Sequence, residues 1–229
     1  MKKNVWFFNA HPDDINAGLG LALILKELPE YQIHICTYTR GEGGLREAGV
    51  PFDECAAIRT LEEEKVCAAL GVTPIFTPEK NDGSCAAGID VCHFIVDLLR
   101  KAPPTAIITH WPVDIHCDHV MCAAAVLKAV RLAQIKTEIY FYRQNKQCRN
   151  FPEDFYVSFD ENIMSQKCEL LKLYECQNGA EIATRERCED TYNGFRCLTP
   201  FAECYASFQN PGEGNFFRDL AEARKQAGI

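Results

Sequence analysis

Between Val5 and Tyr142, short apolar runs alternate with longer segments of helical period, and this rhythm narrows the choice of fold more than any other feature of the chain. Residues 5–9, 33–39, 72–76, 105–109 and 138–142 read as strands. Helices are expected over 15–28, 53–70, 88–100 and 117–133, the second closed by Gly71 and the third by Pro103-Pro104. Strands alternating with helices predict a Rossmann-like α/β fold, a three-layer αβα sandwich around a mostly parallel sheet. Beyond residue 143 the rhythm loosens. A strand over 155–159 and a helix over 163–176 are expected. Residues 178–214, rich in Cys, Arg and aromatics, show no clear period and read as an irregular C-terminal elaboration. With no repeat or linker in 229 residues, one domain over 1–229 is the expectation.

Composition excludes several partner classes. The net charge is -8, the acids are scattered, and no basic stripe offers itself to a phosphate backbone, so a nucleic-acid partner is not expected. The apolar runs fall short of the roughly 20 residues that span a bilayer. The N-terminus runs straight into Val5-Trp6-Phe7-Phe8 without the long apolar region of a signal peptide, so a cytoplasmic chain is expected. Thirteen cysteines with no Cys-x-x-Cys spacing read as small buried hydrophobes in a reducing compartment, not as disulfides or a zinc ribbon.

Two polar clusters stand at strand ends. Ala10-His11-Pro12-Asp13-Asp14 follows the first strand, and Asp114-Ile115-His116-Cys117-Asp118-His119 follows the fourth and opens a helix. Ligands of open α/β sheets bind beyond the carboxyl ends of the strands, so the two clusters can converge. Pro12 holds His11 extended. His11 and Asp14, three residues apart, can share one side of a turn and leave Asp13 free. His116 and His119 share a face at a helix N-terminus, where the dipole disfavours the protonated ring and favours the neutral form a metal needs. His119 is the better anchored of the two and the ligand candidate, while His116 can face a substrate. Asp118 can orient a histidine through its ring N–H, and Asp114 reads as a cap. Two histidines and one carboxylate leave a coordination position open, the pattern of catalytic zinc, although iron or another divalent ion would also fit. Water on such an ion reaches a pKa of roughly 7, with Asp13 placed as general base and His116 as oxyanion stabiliser.

The stretches Ala10-His11-Pro12-Asp13-Asp14, Thr39-Arg40-Gly41-Glu42-Gly43 and His116-Cys117-Asp118-His119, in that order, resemble the LmbE-like (PIG-L) zinc deacetylases. Members of that family remove acetyl groups from N-acetylglucosamine-type amino sugars and related amides. The resemblance continues through Arg59-Thr60-Leu61-Glu62 and Leu70-Gly71-Val72, and returns weakly at Ser165-Gln166-Lys167 and Phe201-Ala202-Glu203. It implies a metal-dependent hydrolase with one Zn2+ per chain, held by His11, Asp14 and His119. It further implies Asp13 as general base, His116 as the oxyanion-stabilising histidine and Asp118 as the orienting partner of His116. Arg59 and Asp82 match positions that hold sugar hydroxyls in some members, and Glu42 is counted with them as substrate-binding. The expected partner is a small N-acetylated molecule. Two departures stand out: Cys117 replaces a proline of the second motif, and Ile15 replaces a glutamate after the first. Neither removes a ligand, so chemistry transfers better than substrate choice.

Other readings compete. Arg59 and Glu62, three apart on a helix, make a surface ion pair by default. His34, His93 and His110 read as structural, and Trp111 as a sugar platform or a packing residue. Gly41, Gly43 and Gly44 lack the following Lys-Ser or Lys-Thr of a phosphate loop. The rival functions are a non-catalytic sugar- or nucleotide-binding protein and a thiol hydrolase built on Cys117. The aromatic C-terminal third suits a core or a homo-oligomer interface.

Overall fold

The computed structural model describes residues 2–144, 150–208 and 215–229. Among these the chain runs β1 (Lys3–Asn9), α1 (Leu19–Lys26), β2 (Tyr31–Thr37), α2 (Phe52–Ala69), β3 (Ile75–Phe76), α3 (Ile89–Lys101), β4 (Pro104–His110) and α4 (Cys117–Ala133). It continues through β5 (Glu138–Tyr142), β6 (Phe155–Phe159), α5 (Glu161–Leu171), α6 (Gly179–Cys197), β7 (Phe201–Ser207) and α7 (Phe216–Ala227). The strands form one sheet in the order β3-β2-β1-β4-β5-β7-β6. β1 to β5 pair in parallel, and β7 joins β5 and β6 antiparallel. The expected α/β layering around a mostly parallel sheet is therefore present.

Alternation along the strands builds two cores. Val5 and Phe7 face α1, α2, α5, α6 and α7, while Trp6 and Phe8 face α3 and α4. A strand buried on both sides needs apolar residues at every position, which is why these segments read as continuous runs. From β1 the chain moves outward to β2 and β3, then returns to lay β4 on the other side of β1. That reversal opens a crevice beyond the carboxyl ends of β1 and β4, and both polar clusters emerge there.

The first expected helix is divided. A 3-10 turn, Asp14–Gly18, precedes α1, because the backbone leaves helical dihedrals at Gly18, with φ -132° and ψ 6°. α5 starts at Glu161, earlier than expected, because Asp160 caps it by accepting from the Ile163 N–H at 3.0 Å. It ends at Leu171, and a further 3-10 turn, Glu175–Gln177, follows. The apparently aperiodic stretch holds α6 and β7. α6 escapes a periodicity reading because its buried face carries Glu186, Asp190 and Asn193 where apolar residues would normally mark the stripe. The amphipathic α7 adds a further helix beyond the expected elements. Among the described residues twelve cysteines are free thiols and six of them are buried, and no helix is long and apolar enough to cross a membrane.

Glu63 on α2 is fully buried, accepting from the Thr37 hydroxyl at 3.0 Å and the Tyr174 hydroxyl at 2.6 Å. Burial pushes its carboxyl up to about 7, against the opposing pull of those two hydrogen bonds. A folded-state value above the unfolded one means that this group's contribution to stability is full below the ordinary carboxylate range and is lost as pH rises through about 7. Glu63→Gln should therefore flatten the fall in Tm between pH 5 and pH 8 by roughly 5 °C. Melting curves across that range check this, and an unchanged slope would contradict it.

Candidate metal centre

The first cluster is a turn under strain, with Asp13 at a left-handed φ of 95°. Left-handed backbone at a non-glycine residue costs on the order of 1 kcal/mol and persists only where its surroundings enforce it. Here Arg59 Nη2 donates to Asp13 Oδ1 at 2.6 Å and to the Pro12 carbonyl at 2.5 Å, and the Asn16 N–H donates to the Asp13 carbonyl at 3.0 Å. The turn sends two consecutive carboxylates in different directions. Asp13 meets Arg59, while Asp14 turns inward. Asp14 Oδ2 accepts from the His11 backbone N–H at 2.8 Å and lies 3.2 Å from His11 Nδ1. Asp14 Oδ1 lies 3.6 Å from His119 Nε2. His11 and His119, 108 positions apart in the sequence, thus share one carboxylate.

The second cluster supplies orientation. Asp114 Oδ1 accepts from the His116 N–H at 2.9 Å, and its Oδ2 lies 3.1 Å from His119 Nδ1. Asp114 thus closes the entry turn to α4, whose N-cap is His116, and also turns the His119 ring, a dual use its position did not reveal. The Asp118 carboxylate, expected to orient His116, reaches His11 instead: Oδ2 stands 3.1 Å from His11 Nε2 and accepts from Gly83 N–H at 2.6 Å. Asp118 meets His116 through its backbone, donating its N–H to His116 Nδ1 at 3.3 Å. The Asp118 carboxylate misses the His116 ring because it points into the crevice while His116 caps the helix beside it. That backbone bond occupies the Nδ1 lone pair of His116 and leaves its proton on Nε2. Asp82 Oδ1 also lies 3.1 Å from His11 Nε2.

Electrostatics follow from this crowding. Burial pushes the Asp14 carboxyl up, but the charges of His119 and His110 and the His11 hydrogen bond outweigh it and hold the group well below the carboxylate range. Asp118 is held low in the same way by His11, Cys85 and Gly83 against its burial. Asp13 behaves oppositely: burial lifts it to about 6 despite Arg59. Burial and the neighbouring histidines lower His116, keeping its ring neutral. Burial and His119 lower His110 to about 4.

Four overlapping groups place ligand atoms within 4.8 Å of one another: His11-His116-His119, Asp14-His110-His119, His116-Cys117-Asp118 and His11-Asp82-Asp118. Two histidines have prior commitments. His110 Nε2 accepts from the Ala10 N–H at 2.8 Å, and His116 Nδ1 accepts from Asp118. The donor set of imidazoles and carboxylates fits a divalent ion of zinc type.

A cavity of about 370 Å³ opens over this centre, with His11, Asp13, Asp14, Arg59, Asp82 and His116 on its wall. Gly43, Gly44, Arg46, Glu47, Gly83 and Gln177 complete it, the last from the 3-10 turn after α5, where no sequence signal pointed. Glu42 is not on the wall, and its Oε2 is buried without a partner. Arg59 and Glu62 make no surface ion pair: both are buried, and Glu62 accepts from the Cys176 N–H at 2.9 Å. Trp111 packs edge-on against Phe141 and Phe151. His34 stacks on Trp6, His93 is exposed, and His110 stacks on His119 with 4.2 Å between ring centres.

The family model described as PIG-L: GlcNAc-PI de-N-acetylase matches residues 6–130, more than half of the chain. Among solved structures, the chain is similar to an N,N'-diacetylchitobiose deacetylase from Pyrococcus horikoshii at 20% identity and a TM-score of 0.76, covering 94% of this chain and 85% of that one. It is also similar to a conserved protein from Thermus thermophilus, at 22% identity, 90% and 94% coverage and a TM-score of 0.73. A 4-carboxy-2-hydroxymuconate hydratase from Pseudomonas putida shares the fold as well, at 17% identity, 90% and 96% coverage and a TM-score of 0.71. Likeness at these identities speaks for the fold, and a hydratase among the neighbours means that the fold alone does not select the reaction. By the family match, which runs from within β1 through most of α4 and therefore takes in both polar clusters, the chain belongs to the PIG-L, GlcNAc-PI de-N-acetylase, family.

Proposed function

We propose that this chain is a metal-dependent N-deacetylase of an N-acetylated amino sugar or a conjugate of one. The observation that carries the reading is Asp14 set between His11 and His119 under the cavity, with Asp13 turned away onto Arg59. His11, Asp14 and His119 would hold the ion, with zinc as the first choice. When bound, such an ion acidifies water and polarises a carbonyl as a Lewis acid. Asp13 takes the proton of the attacking water and passes it to the departing amine. Its lifted affinity for protons suits that exchange, and Arg59 keeps its carboxylate aimed. His116, neutral and protonated on Nε2, donates a hydrogen bond to the oxyanion. Asp118 holds the His11 ring, and Asp114 the His119 ring, as carboxylates commonly do for ligating histidines. Arg59 and Asp82, both on the cavity wall, would meet the sugar hydroxyls. Glu42, behind Gly43 and Gly44, would act on the substrate only through the shape of that loop.

A panel of N-acetylated amino sugars and their conjugates, assayed for acetate release, tests this reading. Acetate and free amine should appear in equal amounts, cease with a chelator and return with a divalent ion. Release that ignores the chelator would contradict it, as would a metal-loaded chain inert toward the whole panel.

The thiol alternative makes a different forecast. The Cys117 thiol donates to the Gly83 carbonyl at 3.3 Å, and burial together with Asp118 raises its pKa. A thiol held protonated is a weak nucleophile. Cys117→Ala should retain turnover within about threefold, whereas loss of a nucleophile would be expected to cost several orders of magnitude. Steady-state kinetics on the variant separates the two.

A further inference from the structure

Lys167 is a cation with no exposed surface. Its Nζ lies 2.7 Å from Asp190 Oδ2, 2.7 Å from Glu203 Oε1 and 3.8 Å from Glu186 Oε2. One ammonium on α5 thus gathers two acids from α6 and one from β7. Buried ion clusters seldom stabilise more than apolar residues of the same volume would, and their best-attested use is to fix a register.

What this cluster grips is the segment that carries Asp13 and Asp14. The two oxygens of Glu203 accept from the first N–H groups of α1, Gly20 N on Oε1 at 2.7 Å and Leu21 N on Oε2 at 2.8 Å. The Tyr205 hydroxyl donates to the same Oε2 at 2.7 Å. Held by Lys167 on one oxygen and Tyr205 on the other, this carboxylate has no freedom to swing. A second grip lies upstream. Glu186 Oε1 accepts from Asn16 Nδ2 at 3.4 Å, and the N–H of Asn16 donates to the carbonyl of Asp13 at 3.0 Å. Asn16 has no exposed surface, and its Oδ1 accepts from the Ala17 N–H at 2.7 Å.

Gly20 at the head of α1 answers to the same cluster, whereas Gly18 lies against β1. A Cβ on Gly20 would stand 2.9 Å from Glu203 Oε1 and 2.8 Å from Phe159 Cε1, closer than real Cβ contacts come. A Cβ on Gly18 would meet Phe7 at 3.2 Å. Gly20 lets the helix start approach the buried charges closely enough for Glu203 to straddle its first turn.

From these contacts we infer that Lys167, Glu186, Asp190 and Glu203, acting through Asn16 and the first turn of α1, form a positioning device for the metal centre. The device clamps the Asp14–Gly18 turn from downstream, so that left-handed Asp13 stays on Arg59 while Asp14 stays on His11 and His119. It rests on the proposed role of Asp14 as a ligand. None of its charged members touches a reacting atom. They are positioning residues, and they give the C-terminal third a direct part in a site whose named groups lie upstream of it.

Lys167→Met would leave three buried acids without their cation and can abolish folding, so two milder variants carry the test. Glu203→Gln keeps the size of the side chain, and Asn16→Ala releases the upstream grip alone. Glu169→Gln, altering the exposed Lys172 pair on the outer side of α5, serves as control. Co2+ alone is the probe, through its dissociation constant and visible d–d spectrum, with near-UV circular dichroism reporting the fold. Glu203→Gln and Asn16→Ala should fold, bind Co2+ at least about tenfold more weakly and alter its spectrum, as losses of supporting contacts around metal ligands typically do. Acetate release should then fall in kcat with KM held within about twofold. The control should match the parent chain. Folded variants with unchanged Co2+ affinity and spectrum would overturn the positioning role and leave the metal centre standing. A parent chain that takes up no Co2+ would overturn both.

Discussion

Asp13→Asn should lower kcat by a factor of about 10²–10⁴, the usual contribution of a general base, while metal content stays near that of the parent chain. Asparagine is the right probe because it tolerates the left-handed backbone that residue 13 adopts at a φ of 95°. Alanine would combine loss of the carboxylate with strain in the turn. The amide can still accept from Arg59 but takes no proton at working pH. Arg59 then loses a charged partner at 2.6 Å in a buried position, so a drop in Tm should accompany the loss of turnover. Because burial lifts Asp13 to about 6, parent activity should decline as pH falls through that value and protonates the base, and the residual activity of the variant should lack this limb. Metal analysis together with a pH series of kcat reads both effects. Near-normal turnover would refute the role of Asp13.

His119→Ala should strip the centre of its ion. Removing a group that only supports a ligand costs about 10–100-fold in metal affinity, and removing a ligand should cost more. His119 is nearly unexposed, braced by Asp114 on Nδ1 and by the stacked ring of His110, with Nε2 turned to Asp14. No other imidazole can readily replace it. His110 has its Nε2 engaged by the Ala10 N–H, and His116 has its Nδ1 engaged by Asp118. After dialysis the variant should retain little divalent ion by elemental analysis and release no acetate. Full occupancy would remove His119 from the ligand set.

Much of this arrangement is legible in the residues before any coordinates. The runs around Val5-Trp6-Phe7-Phe8 and Ala106-Ile107-Ile108 read as strands because both faces are covered and every position is apolar. The His11-Pro12-Asp13-Asp14 and His116-Cys117-Asp118-His119 stretches read as one centre because each leaves a strand at the carboxyl end of the sheet. What fails to read is tertiary. Asp118 pairs with His11 across 107 positions, and no local spacing distinguishes that partner from the adjacent His116. Arg59 resembles half of a surface ion pair until the turn at Pro12 and Asp13 is packed against it. Gln177 reaches the cavity wall from a short turn without a pattern. α6 is hidden by Glu186, Asp190 and Asn193, whose burial makes sense only beside Lys167, itself recruited from another helix.

Whether His11, Asp14 and His119 close around one divalent ion is tested most directly by anomalous diffraction at the zinc edge from zinc-loaded crystals. One strong peak is predicted, within about 2.0–2.2 Å of a nitrogen of His11, an oxygen of Asp14 and a nitrogen of His119, facing the cavity. A peak seated elsewhere, or none at saturating zinc, would contradict that centre and the deacetylase reading built on it.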